Sequence, residues 1–173
     1  MKVNREFEVY QNSHPELSLN IGCGRNNDPK MYGIDLLDVP GVDLVHDITE
    51  GLPFPDNTFD RISAVDILEH VPMGTPNIKI MEEIYRVLKP EGEFYFSVPS
   101  TDGNNVGAFQ DPTHISFWNQ TKFQYFYADV VEGSFRGLYD IKASFIPKSI
   151  FTVYNKYGVT YVEGCFTKAA LNG

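Results

Sequence analysis

This sequence is short of several things, and each shortage removes a class of function. Two of its 173 residues are cysteine, Cys23 and Cys165, and they stand in no metal-ligand spacing. No disulfide framework and no metal site are expected from them, and both thiols are expected to be reduced. No apolar run approaches the ~20 residues that a bilayer span needs, and Met1-Lys-Val-Asn-Arg-Glu6 has no signal-peptide core. A cytoplasmic location follows as the expectation. Basic residues are few and scattered: 14 Lys and Arg against 23 Asp and Glu leave a net charge of −9. That balance counts against nucleic acid, whose phosphates are bound by clustered cations. Repeats and low-complexity tracts are absent as well, and the length suits one domain over 1–173 with a sizeable core.

What is present is a succession of short strands ending in glycine or acid. Leu17, Leu19 and Ile21 alternate into the pair Gly22 and Gly24, a turn where the backbone must come close to something. Met31–Asp35 and Val42–Asp47 read as second and third strands, each ending in a carboxylate, and Phe59–Val65 as a fourth. A helix is expected from Thr75, as N-cap, with Pro76 at its first position and Ile80, Ile84, Val87 and Leu88 on one face. Lys89-Pro-Glu-Gly92 stops it, and Glu93–Val98 follows as an aromatic strand. Two further strands, Leu138–Ile146 and Val159–Thr167, suggest an antiparallel pair at the sheet edge.

This order predicts an α/β fold: a Rossmann-like, mostly parallel sheet with an antiparallel C-terminal edge strand. The carboxyl ends of parallel strands share one edge, where ligands bind. Gly22, Gly24, Asp35 and Asp47 all fall on that edge. A carboxylate after the second strand is placed to accept from a ribose diol, and one after the third to meet an adenine amino group.

The motifs Leu19-Asn-Ile-Gly-Cys-Gly24, Gly33-Ile-Asp35, Val45-His-Asp47, Leu52-Pro-Phe-Pro-Asp-Asn-Thr-Phe-Asp60, Ile67-Leu-Glu-His70 and Glu83–Gly92 run in a telling order. The chain resembles the class I S-adenosylmethionine-dependent methyltransferases of the small, type 11-like group. The resemblance covers residues 17–98, and Asp111-Pro-Thr-His114 resembles a subgroup element. It implies S-adenosylmethionine as cofactor, with Gly22, Cys23 and Gly24 around its amino-acid part and Asp35 on its ribose. Leu36, Asp47 and Ile48 would border the adenine, and Asp66 would lie near the methyl donor.

Two positions depart from the family's pattern. Asn20 stands where an acid is usual, which weakens the expected contact to the cofactor's ammonium. Arg25–Lys30 is also too short for the first crossover helix, since a parallel crossover takes about a dozen residues. Leu36–Gly41 is likewise short, reaching roughly 20 Å when extended. Part of one sheet face should therefore be thinly covered, and residues 1–16 or a second copy in a homodimer are expected to cover it.

Methyl transfer needs positioning, and a base only where the acceptor must lose a proton. The candidates are His70, His114 and Asp111. Each has a structural reading beside the chemical one: His70 caps its loop, and His114 pins its own loop through Asp111. The aromatic stretch from Phe109 to Tyr127 reads as core and lid packing or an acceptor pocket, Glu82 and Glu83 as a wet helix face, and Cys23 as a small turn residue. A nicotinamide oxidoreductase would want a third glycine near Asn27 opening a helix. The acceptor is expected to be a small molecule or a sugar- or lipid-type compound. The alternative is a non-catalytic cofactor-binding or interaction module of the same fold.

Overall fold

The computed structural model describes residues 5–25, 27–104 and 107–169. One 7-stranded sheet organises it: β1 (Ser18–Ile21), β2 (Tyr32–Asp35), β3 (Leu44–Val45), β4 (Phe59–Val65), β5 (Leu88–Pro99), β6 (Phe145–Tyr154) and β7 (Thr160–Lys168). The spatial order is β3-β2-β1-β4-β5-β7-β6. Strands β1 to β5 pair in parallel, while β7 lies antiparallel between β5 and β6. The α-helices are α1 (Arg5–Ser13), α2 (Thr75–Val87) and α3 (Gln120–Phe123). Among the described residues no helix joins β1 to β2 or β2 to β3, as the short connections require.

Several boundaries differ from the sequence expectation, and β5 already starts at Leu88 rather than Glu93. Strand β6 begins at Phe145 rather than Leu138 and runs on to Tyr154 rather than ending at Ile146. The turn explains this: Asn155 Oδ1 accepts from the Tyr157 and Val159 N–H groups at 2.9 and 3.0 Å, and Gly158 takes φ 74°. Pairing then runs outward from Tyr154↔Thr160 to Phe145↔Lys168, because a hairpin's turn sets its register. Helix α2 is capped by Gly74 at φ 89°, not by Thr75, which is already its first residue. Asn119 does cap α3, accepting from Lys122 N–H at 2.8 Å.

The sheet is buried on one face. Tyr32, Leu19, Ile62, Phe94 and Phe166 share a row across it, and Ile34, Ile21, Ala64 and Phe96 the next; all are buried. Ile80, Met81, Ile84 and Val87 of α2 join the same core, and Phe123 of α3 stacks on Phe96 at 4.0 Å. Helix α1 packs there too, with Phe7 against Tyr32, Phe54 and Phe59 at 5.0, 4.8 and 5.6 Å between ring centroids. It therefore thickens the covered side rather than the thin one, and Val9 stays exposed; residues 1–4 of that expected cover lie outside the described residues. On the other face Asn20, Arg61, Ser63, Val65, Glu93, Tyr95, Glu163 and Cys165 are not buried, while Gly33 and Ser97 are. No described helix packs on it.

The loop that returns the chain to β4 is fixed by one side chain. Arg86 uses every N–H donor of its guanidinium: on both Glu83 oxygens at 2.7 Å, Phe54 O at 2.8 Å, Leu52 O at 2.8 Å and Asp56 Oδ1 at 2.9 Å. Glu83 Oε2 also accepts from Leu52 N–H at 2.8 Å. Glu83 is thus a structural clamp rather than a solvated residue, because the loop's backbone groups have no strand to pair with. Glu82 likewise accepts, from Lys142 N–H at 2.8 Å.

Two outcomes follow. Phe7→Ala removes the ring that joins α1 to the sheet and should destabilise by about 3–5 kcal/mol in denaturant unfolding. The hydrogen bonds from Arg86 hold the Glu83 carboxyl below its usual range. Its contribution is therefore full above the unfolded value of about 4.3 and is lost as pH falls through the lower folded value. Glu83→Gln should cost about 1–3 kcal/mol at neutral pH, and the gap to the native protein should narrow in acid.

Candidate functional site

The glycine turn closes on its neighbour strand. The N–H groups of Gly22 and Cys23 both donate to Ile34 O, at 2.9 and 3.1 Å. Gly22 sits at φ 69° and Gly24 at φ 55°. A Cβ on Gly22 would lie 2.6 Å from the Ile67 side chain, whereas one on Gly24 would enter open space at the sheet edge. Gly24 N–H donates to Asp35 Oδ2 at 2.8 Å, and Leu37 N–H to Asp35 Oδ1 at 2.9 Å. Asp35 therefore ties the turn after β1 to the turn after β2, and each oxygen keeps further acceptor capacity.

The short connection after the turn replaces a helix with polar packing. Asn20 Nδ2 donates to Asn27 Oδ1 at 3.0 Å, and Asn27 Nδ2 donates to Met31 O at 3.0 Å. Both Asn27 and Cys23 lie so close over Gly33 that a Cβ there would meet them at 2.4 and 2.7 Å. The Asn20 amide is thus used first to hold its own loop. Burial, then the nearby Asp35 and Asp43 charges, push the Cys23 thiol up to about 11, which makes it an inert turn residue.

The remaining strand ends continue the same edge. Asp47 Oδ1 accepts from the Thr49 N–H and hydroxyl at 2.8 and 2.7 Å, and those bonds hold its carboxyl below the usual range. Ile48 opens the following 3-10 turn, and Leu36 is exposed beside it. Asp66 follows β4 at φ 51°; desolvation raises its carboxyl, against a hydrogen bond from the Tyr161 hydroxyl.

Next to Asp66 the chain builds a cleft of about 530 Å³ lined by Glu69, His70, Asp111, His114, Tyr157 and Tyr161, among others. The β6–β7 turn and the start of β7 line one side, and the 3-10 turn Leu68–His70 and the loop after β5 form another. The latter two are stitched together: Ile115 and Ser116 N–H both donate to Glu69 O at 3.0 Å, and Ser116 Oγ and Trp118 Nε1 reach Leu68 O at 2.9 and 3.2 Å. His114 Nδ1 pairs with Ala108 O at 3.0 Å, not with the Asp111 side chain. Asp111 Oδ1 instead accepts from the Thr113 N–H and hydroxyl at 2.7 and 2.6 Å, closing the turn that presents His114. His70 Nδ1 pairs with Thr113 O at 3.3 Å, and the two imidazoles meet edge to face at 5.1 Å. Of the aromatic stretch, Trp118, Phe123, Phe126 and Tyr127 are core, while Phe109 is exposed against Phe117.

Sequence reasoning passed over Glu69. It is 1% exposed, and burial pushes its carboxyl up to about 8. The signal was its place between two residues of a matched motif, Leu68 and His70, on a turn too short to carry a wet face. Tyr161 was missed because only the β7 register brings it to this edge.

Comparison with known proteins agrees with the architecture. A methyltransferase domain model matches residues 26–96. The demethylmenaquinone methyltransferase of Listeria welshimeri is 41% identical over 56 residues, 32% of this chain and 22% of that protein. The match thus spans well under half of that relative's length. A chain of the complex between the Haloferax volcanii Trm112 methyltransferase activator and a methyltransferase superposes with TM-score 0.65 at 15% identity, covering 97% of this chain and 90% of that one. The Burkholderia thailandensis 1,6-didemethyltoxoflavin-N1-methyltransferase, solved with bound 1,6-didemethyltoxoflavin and S-adenosylhomocysteine, gives a TM-score of 0.63 at 18% identity, covering 95% of this chain and 76% of that one. The fold is that of the S-adenosylmethionine-dependent methyltransferases.

The glycine turn yields a direct test. Gly22→Ala should destabilise by about 1–3 kcal/mol through its positive φ alone, with the Ile67 clash in addition. Adding Ile67→Ala should relieve the clash but not the backbone strain, so the double variant should lose less than the two single losses combined.

Proposed function

We propose that this chain transfers a methyl group from S-adenosylmethionine to an acceptor held in the cleft beside Asp66. One observation carries the reading: the glycine turn, Asp35, Asp47 and Asp66 stand in succession along the carboxyl edge of β1 to β4, and the cleft adjoins its last member. The cofactor's contribution is a methyl group on a positively charged sulfur, which becomes a neutral thioether as the bond to carbon breaks. The residues present fit such a group. Open space beside Gly24 admits it, the remaining acceptor capacity of Asp35 suits a ribose, exposed Leu36 and half-buried Ile48 suit an adenine, and the carboxylates favour a cation. Asn20 Oδ1 is the atom left to meet the ammonium end.

The chain's own work is alignment, since an aligned pair at contact distance is worth several kcal/mol of barrier. His70 and His114 each turn Nδ1 to a backbone carbonyl, which leaves Nε2 as the basic atom. An acceptor that must shed a proton meets these atoms first, and Asp111 keeps His114 in place. The cleft size and its tyrosines suit a small molecule or a sugar- or lipid-type compound.

Calorimetric titration with S-adenosylmethionine and S-adenosylhomocysteine, with NAD as control, tests the reading. Both methyl-cycle ligands should bind and NAD should not, and Asp35→Ala or Asp47→Ala should each weaken binding about tenfold or more, about 1.4 kcal/mol. Silence with both ligands would leave a non-catalytic module of this fold.

A further inference from the structure

The wall of the cleft holds a carboxylate oxygen without a hydrogen-bond partner. Glu69 Oε2 is buried and takes no hydrogen bond, a state that is costly for a polar atom shut away from water. Its other oxygen is 3.9 Å from His114 Nε2, beyond hydrogen-bond reach, so no carboxyl–imidazole pair accounts for the burial. One ligand atom from each of Glu69, His70 and His114 nevertheless lies within 4.8 Å of the others.

The outer contacts of the two imidazoles are those of metal ligands. Each presents Nδ1 to a backbone carbonyl, His114 to Ala108 and His70 to Thr113. A ring that donates there keeps its Nε2 lone pair for the cluster, and this arrangement orients histidines around metals. Two imidazoles and one carboxylate suit zinc, iron, cobalt or manganese rather than calcium or magnesium, which take oxygen ligands.

We propose that Glu69, His70 and His114 form a site for a divalent transition-metal ion, with open coordination positions turned into the cleft. The dication supplies the counter-charge that a buried carboxylate lacks. Its open positions take an oxygen donor, so the acceptor class is a hydroxyl compound able to bind a metal. With the ion present the imidazoles would serve as ligands, and the ion would supply the acidity that lets a bound acceptor hydroxyl give its proton to water rather than to Nε2. The acceptor class rests on the methyl-transfer reading; the ion site does not.

Titration of the full chain with Co²⁺, followed by ligand-field absorption in the visible, tests the site without cofactor or activity. The chain has 4 histidines, so the other two serve as controls. One equivalent of Co²⁺ should produce the bands, His14→Ala/His46→Ala should keep them, and His70→Ala/His114→Ala should weaken binding at least tenfold. Should the last variant fail to fold by circular dichroism, the native protein decides: Zn²⁺ should shift the ring resonances of His70 and His114 alone. Absence of bands at excess Co²⁺, bands surviving in His70→Ala/His114→Ala, or shifts at His14 and His46 instead would overturn the proposal. Co²⁺ binding without S-adenosylmethionine binding would remove the methyl-transfer reading and leave the ion site.

Discussion

Burial of the sheet on a single face is the constraint from which most of this structure follows. A parallel sheet ordinarily has helices on both faces. Here the connections after β1 and β2 are too short to carry any, and every described helix lies on one side. That side must therefore supply the apolar burial almost alone, and aromatic rings fill it. Phe7, Tyr32, Phe54 and Phe59 form one cluster at the α1 end, and Phe94, Phe96, Phe123, Phe145 and Phe166 another under the hairpin. Large rings bury much surface per residue, which suits a core with few helices.

The same economy shapes the edge where the proposed chemistry sits. Without a helix after the glycine turn, Asp35 fastens that turn through the Gly24 N–H, and Asn27 packs on Gly33 where a helix would otherwise lie. Further along, one wall of the cleft is assembled from two loops that have no sheet partners of their own. Backbone bonds onto Leu68 O and Glu69 O hold them together, and the buried Trp118 and Ser116 make those bonds hard to exchange with water. The side chains facing the cleft thus stand on a fixed frame.

How much of this was legible depended on whether the cause was local. Alternation in Leu17–Ile21, the glycine pair and the acids after successive strands announced the parallel edge directly. Chain length between Gly24 and Met31 was enough to exclude a helix, because reach is a covalent limit. Strand β6 was misplaced because its register is dictated by the Asn155 turn, and the Leu138–Ile146 pattern carried no trace of that. Glu83 read as solvated because its partner, Arg86 aside, is the Leu52 N–H of a loop about thirty residues away. Glu69 was passed over for a related reason: burial of one acid in a motif depends on a loop that docks from beyond β5.

Strand β3 pairs through two positions, Ile34↔Leu44 and Asp35↔Val45, and then stops. Strand β6, at the opposite rim, is broken by an irregularity between Pro147 and Ser149, with Lys148 reaching across to Glu93 at 2.5 Å. A stub on one side and a proline, a bulge and a lysine on the other are the devices by which natural sheets discourage stray strands from annealing to them. A molecule that leaves a broad sheet surface wet has thereby guarded itself against growing into fibrils.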